Sequence, residues 1–362
     1  MCIVYNTIGA LSHIESQLSK NNFDEFNSIS DLINFEKNYS FTEEQIILKH
    51  RLSVQTEKKV LEDDIVILVN EISKYKTERN EKLKLKLDNL NQQLDKLFLP
   101  KSNLLTIFKD LGLNIIVWTK IWSAPTLTRA NIFITSRKQN KVLLQKNIRY
   151  DFEKNDFENA VNQSSSNELQ NLSKRRSIIK ELKSFIYGAI GEHKVETTLS
   201  KLPDEYTLIN DFTCYFQPPI FNSKEKGYIK SIQIDHIVIS PSGVFIIETK
   251  NWSENSIQNI DMRSPVKQVH RTNFALFKLL ANNTLKNHHW GKRKIPIKNI
   301  IVFINHKPLG EFEFVKILSL NELVKYITYF PPCFSKEEVT YIADYLLKYC
   351  VTKDEPCKLS IL

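Results

Sequence analysis

Asp235, Glu248 and Lys250 carry the clearest chemistry in this sequence, because their spacing would gather them on one face of a β-hairpin. Two apolar runs, Ile234–Ile239 and Val244–Ile247, flank Ser240-Pro-Ser-Gly243, a turn signal. If Ile239 faces Val244, Asp235 lies opposite Glu248 and Gln233 opposite Lys250. Alternate side chains share a face, so these four polar groups would project from one side. Directly paired Cβ atoms sit roughly 4.5–5.5 Å apart. Two carboxylates at that spacing repel unless a cation lies between them, and hard divalent cations choose oxygen ligands of this kind. A lysine two residues after Glu248 can stabilise a nucleophile or a phosphate charge. The chemistry implied is metal-dependent phosphodiester hydrolysis. The competing reading is a solvated face with a Glu–Lys pair. Both faces of the hairpin are rich in Ile, Val and Phe, which predicts strands covered on both sides, where carboxylates are rarely left unpaired.

Elements upstream must supply the rest of such a site. The spacing predicts a helix over 181–201, ending before Pro203. Phe185, Ala189, Val195 and Leu199 recur on one stripe that faces a core, and Glu192 falls on that stripe. A glutamate there is costly unless compensated, and it becomes a candidate third carboxylate. Gly188 and Gly191 each weaken a helix by about 1 kcal/mol relative to alanine, which suits a helix that must approach a sheet closely.

Gly188-Ala-Ile-Gly-Glu192, Gln233-Ile-Asp-His236 and Ile247-Glu-Thr-Lys-Asn251 together resemble the nuclease-related domain (NERD) of the PD-(D/E)XK nuclease superfamily. The resemblance covers roughly 181–305. It implies Glu192, Asp235 and Glu248 as metal-binding carboxylates and Lys250 as the catalytic lysine. It also implies a glutamine on the next helix, matched by Gln268. A related branch places a tyrosine four residues later; here that residue is Thr272. The segment Gln217–Lys230 has the character of an insertion, and the resemblance assigns it no role.

The chain has 362 residues, room for two or three domains, and its 42% hydrophobic and 25% charged content is that of a globular protein. No apolar run approaches the roughly 18 residues needed to span a bilayer, and no secretory signal is legible after Met1, so a cytoplasmic location is expected. The five cysteines are scattered without a Cys-x-x-Cys pair, which argues against a cysteine zinc site. His288, His289 and His306 read as solvated surface. The net charge of +9 and pI near 9.1 suit a polyanionic partner. Lys292, Arg293 and Lys294, following Trp290, are the candidate nucleic-acid contacts; a solvated loop is the alternative.

Three regions are expected: 1–100 helical, 101–180 a small strand-containing region with a polar linker, and 181–362 the nuclease-like domain with C-terminal helices. Ser40 and Glu43 read as a capping box. Leu61, Ile65, Leu68, Ile72 and Tyr75, then Leu83, Leu87, Leu90, Leu94 and Leu97, form heptad seams. Packing within the chain and an intermolecular coiled coil both fit, so a homo-oligomer or protein partner through these helices stays open. Ile115–Trp118, Ile132–Thr135 and Val142–Leu144 read as strands, and 155–171 as a polar linker. A helix from Ser264-Pro265 to about Asn282, a strand at Asn299–Ile304, and helices at Ser319–Ile327 and Ser335–Cys350 complete an α/β core with a mixed sheet.

The expected function is a metal-dependent nuclease. Mg²⁺ is the expected metal, with Mn²⁺ as a substitute, because Mg²⁺ works with few carboxylates plus phosphate oxygens. DNA as substrate follows from the resemblance. The alternative is a non-catalytic nucleic-acid-binding or scaffold protein built on a nuclease-like fold.

Overall fold

The hairpin forms in the register that its pattern predicts. In the computed structural model, which describes residues 1–97, 104–252, 263–281, 294–308, 310–351 and 357–361, β3 (Gly227–Ser240) pairs antiparallel with β4 (Gly243–Lys250). Ile239 faces Val244 and His236 faces Ile247. Gly243 has φ 122°, and a Cβ there would lie 2.6 Å from the Pro296 carbonyl oxygen, so the turn demands glycine.

The hairpin lies at the centre of a six-stranded mixed sheet. β1 (Ile3–Tyr5) runs parallel to β2 (Thr207–Asn222), and β2 runs antiparallel to β3. On the other side, β4, β5 (Ile297–Phe303) and β6 (Val315–Ser319) are parallel. Strand alternation sends Ile237, Ile239, Val244 and Ile246 to one face, against α6 (Arg263–Ala281) and α8 (Lys336–Tyr349). Val238, Phe245 and Ile247 go to the other, against α5 (Lys183–Leu199) and α7 (Leu320–Ile327). The sheet is therefore covered on both sides, as its composition predicts. Both late helices start at capping boxes, Ser319 with Glu322 and Ser335 with Glu338.

Helix α5 is close to its expected span, and Ala189, Val195 and Leu199 are buried. Phe185 is not: it is 40% exposed and stacks on His13, while Ile186 takes the buried position. A Cβ on Gly191 would lie 2.9 Å from Asn251 Cβ, the close helix–sheet approach the glycines predict. Gly188 has no such crowding; its nearest neighbours would be 3.9 Å away or more. The segment Gln217–Lys230 extends the β2–β3 hairpin, which resumes after a register shift with Ile220 opposite Ile229.

The chain divides into two compact units, Met1–Tyr39 with Lys174–Leu362, and Ser40–Ser173. The first holds the sheet, together with α1 (Gly9–Lys20), whose Leu11, Ile14 and Leu18 pack with Ile186 and Ala189. The second is helical. α2 (Ile29–Leu97) is one continuous helix, so Ser40 lies inside it and is not a cap. Leu68 and the other seam residues are buried or half-buried while Val66, Ile67 and Val69 are exposed. The seam's partner lies in the same chain: Glu57 pairs with Arg149 and Arg51 with Glu158, and Tyr75 bonds Thr135, an antiparallel arrangement.

The strands expected in 101–180 are absent from the described residues. Ile115–Trp118, Ile132–Thr135 and Val142–Leu144 all lie in α3 (Leu104–Asn155), and the expected linker is α4 (Phe157–Glu181). Only Val117 of these apolar residues is buried, while Ile115, Ile116 and Trp118 are exposed, so the continuous helix overrides a weak local β preference without burying the runs. Serines in α4 are accommodated by bonding back along the helix, as Ser165 Oγ does to the Val161 carbonyl. Among the described residues, no helix is long and apolar enough to cross a membrane.

Candidate active site

Three elements bring the predicted carboxylates together. Glu248 and Lys250 end β4, Asp235 lies one step beyond the β3–β4 pairs at His236–Ile247, and Glu192 sits on α5. Asn251 fixes the end of β4: its Nδ2 donates to the Tyr187 carbonyl at 2.7 Å, and its Oδ1 accepts from Asn305 at 2.8 Å. On the opposite side of β3, His236 Nδ1 meets Asn210 Oδ1 at 2.7 Å, and Asn210 Nδ2 donates to Glu196 Oε1 at 2.8 Å. This buried polar chain links β3, β2 and α5 directly beside Asp235.

The electrostatics are those of like charges held out of water. Glu248 is 3% exposed. Burial pushes the Asp235 carboxyl well up, and Glu248 and Glu192 push it further, against Lys250 and the Thr249 N–H. Burial likewise raises Glu192 to about 7, opposed by the Ala10 N–H and Lys250 and reinforced by Asp211 and Glu248. Lys250 Nζ donates to Glu248 Oε1 at 2.7 Å. Burial works to lower the lysine, but Glu248 and Asp235 outweigh it and raise it. Asp235 Oδ2 accepts from the Thr249 N–H at 2.7 Å.

Among the described residues, no three His, Cys, Asp or Glu side chains are gathered closely enough to hold a metal ion as they stand. The Lys250 ammonium covers one oxygen of Glu248, and a backbone N–H covers one of Asp235. The donor set nevertheless suits a divalent cation. It is made of hard carboxylate oxygens, buried and mutually repelling, with Lys250 as counter-charge.

Two features were missed in the sequence. Asp211 is buried on β2 with φ 45°, and Gln233 Nε2 donates to its Oδ1 at 2.7 Å. Gln233 thus turns to Asp211 instead of standing opposite Lys250. The amino-terminal segment also reaches the site. The Ala10 N–H, unpaired within the first turn of α1, donates to Glu192 Oε2 at 3.4 Å. A Cβ on Gly9 would lie 2.5 Å from Asp211 Oδ1. The visible signal was Asn210-Asp211, two polar residues inside an otherwise apolar run.

Other candidates lie apart. Gln268 is exposed on α6, and among the described residues no hydrogen bond joins it to the carboxylates. Thr272 is buried and bonds the Val269 carbonyl. Lys294 is exposed, with its ammonium 6.0 Å from the Phe277 ring centroid. Lys292, Arg293, His288 and His289 fall outside the described residues; His306 is exposed.

Residues 187–304 match the family profile of the nuclease-related domain, which belongs to the PD-(D/E)XK-like nucleases. An uncharacterized protein of Bacillus anthracis is 38% identical over 77 residues, 21% of this chain. The match spans only 32% of that relative's length. No solved structure matches.

Proposed function

We propose that this chain, which carries a nuclease-related domain, is a metal-dependent nuclease that hydrolyses phosphodiester bonds in DNA. The observation that carries the reading is the buried group of Glu192, Asp235 and Glu248 with Lys250 as its counter-charge. Glu192, Asp235 and Glu248 would hold Mg²⁺, or Mn²⁺ in its place. When bound, the ion supplies a polarised phosphoryl oxygen and a water of lowered pKa. Lys250, freed from Glu248 by that charge, would donate to the attacking oxygen or to the phosphate. Thr249 N–H keeps Asp235 aligned, and the His236–Asn210–Glu196 chain holds the strands and α5 in register. DNA as the substrate rests on the family match, and the positive charge of the chain is consistent with it. We also propose a partner or second copy bound through the helical unit, now on α3 instead of the N-terminal seam, because α3 exposes Ile115, Trp118 and Trp122.

Purified full-length protein incubated with linear, circular and single-stranded DNA, in Mg²⁺, Mn²⁺ or EDTA, tests the reading. Cleavage in either metal that EDTA abolishes supports it. Binding without cleavage under every condition overturns it in favour of a nucleic-acid-binding scaffold.

A further inference from the structure

The extended β2–β3 hairpin does more than lengthen the sheet. Its turn, the outer face of α6 and the first residues of β5 and β6 enclose a groove of about 920 Å³. The groove lies at the starts of β5 and β6, whereas Glu248 and Lys250 lie at the end of β4, opposite Ile301 and Phe303 near the end of β5. Its walls carry four lysines against two glutamates. One glutamate, Glu225, is already paired with Arg271 at 3.7 Å, which ties the hairpin turn to α6. One lysine, Lys298, serves the fold: it donates to the Ser242 carbonyl and lies over the Phe245 and Phe330 rings. Lys224, Lys267 and Lys316 are exposed and, among the described residues, pair with no carboxylate.

Phe314 supplies the second observation. The residue is 76% exposed at this groove, and its backbone has φ 58°. A bulky residue in that region is an outlier that costs on the order of 1–3 kcal/mol. The conformation is held from beneath: Asn273 Nδ2 donates to Asn299 Oδ1 at 2.7 Å, and Asn299 Nδ2 donates to the Phe314 carbonyl at 3.0 Å. An aromatic ring is thus held out in water at a backbone cost, with no core packing in return. Phe277 adds a second, partly exposed ring to the same groove.

We propose that this groove binds a single strand of nucleic acid, with bases stacked on Phe314 and Phe277 and phosphates neutralised by Lys224, Lys267 and Lys316. Stackable rings beside cations that pair with no carboxylate among the described residues are what a flexible polyanion with flat bases requires, and duplex DNA cannot offer its base faces to them. A peptide would be served by the rings but has no general need of the cations. The inference deepens the nuclease reading by naming the strand it holds, but it is tested by binding alone.

Fluorescence anisotropy of a fluorescein-labelled twelve-residue oligothymidylate and of a duplex, both in EDTA, measures it on the full chain. Phe314→Gly relieves the backbone strain, so its melting temperature should hold or rise, while oligothymidylate affinity falls about 10-fold or more. Lys224→Glu/Lys267→Glu/Lys316→Glu should lower the slope of log affinity against log salt by about 2. Tyr341→Ala, an exposed aromatic outside the groove, should change neither. Wild-type oligothymidylate affinity in Phe314→Gly overturns the proposal, as does equal loss of single-strand and duplex binding. Cleavage of bis(4-nitrophenyl) phosphate with Mn²⁺ separates the two claims. If it persists in Phe314→Gly while strand binding falls, both stand. If no variant or wild type cleaves but the binding losses appear, the nuclease reading fails and the groove remains.

Discussion

The sheet unit and the helical unit of this chain place charge in opposite ways. Around β4, a few ionisable groups are buried, and each carboxylate shifts its neighbours. Along α2, α3 and α4, many charges are exposed and paired, as in Arg51–Glu158 at 2.8 Å, with Glu153, buried against Arg149, as the exception. Buried charge is costly to leave uncompensated and is retained for what it does. Exposed pairs contribute little each and act mainly through number. One unit should therefore respond steeply to single substitutions in function, and the other gently in stability.

The steepest response should come from Lys250→Ala. Losing an electrostatic stabiliser of this kind typically costs on the order of 10²–10³ in rate, whereas nucleic-acid affinity is spread over many phosphate contacts. Single-turnover cleavage and filter binding on one preparation measure both. Normal cleavage would erase the contrast, and proportional loss of binding would make Lys250 a substrate anchor.

Acid should act next, through His236 in the sheet unit. Burial lowers its pKa from 6.5 to about 3, so it stays neutral when folded. Below pH 6.5 the unfolded chain binds a proton that the folded one refuses, so this contribution falls as pH drops toward 3. The loss should be on the order of a few kcal/mol by pH 4. Urea midpoints at pH 7 and 4.5 should draw together in His236→Gln; an unchanged pH dependence would assign acid sensitivity elsewhere.

In the helical unit, Leu68→Lys places a charge on the half-buried seam and should lower the unfolding free energy by about 1–3 kcal/mol. Unchanged helicity and melting by circular dichroism would mean that this face is free of α3. Two glycine substitutions sharpen the comparison. Gly191→Ala forces a methyl against Asn251 and should destabilise by about 1 kcal/mol or more after the helix-propensity gain. Gly112→Ala meets nothing within 4 Å and should stabilise by roughly 1 kcal/mol. Equal signs in thermal melts would contradict the packing described. Arg51→Ala should cost the least, under about 1 kcal/mol.

The same contrast governs what was legible in the sequence. Asp235, Glu248 and the hairpin register could be read because a period of two and one turn fix every neighbour. Helices with starts marked by Ser319 and Ser335 were equally plain. Ile115–Trp118 misled because a short β-branched run looks alike in a strand and on a helix whose partner is distant in sequence. The α2 seam revealed its periodicity but not its partner, since heptads look the same within one chain and between two. Asp211 and Ala10 escaped because they join Glu192 through contacts that no local spacing encodes. Gln268 had the right place in the order of elements, yet its own position on α6 is exposed, between the buried Val266 and Val269.

The most direct test of the central claim uses Asp235→Asn, which keeps the shape of the side chain but removes its charge. Mn²⁺ titration calorimetry and DNA cleavage are measured on this variant and on wild type at equal fold stability. The account predicts that wild type binds Mn²⁺ and cleaves, and that the variant loses both together. A variant that binds Mn²⁺ and cuts DNA as wild type does would contradict it.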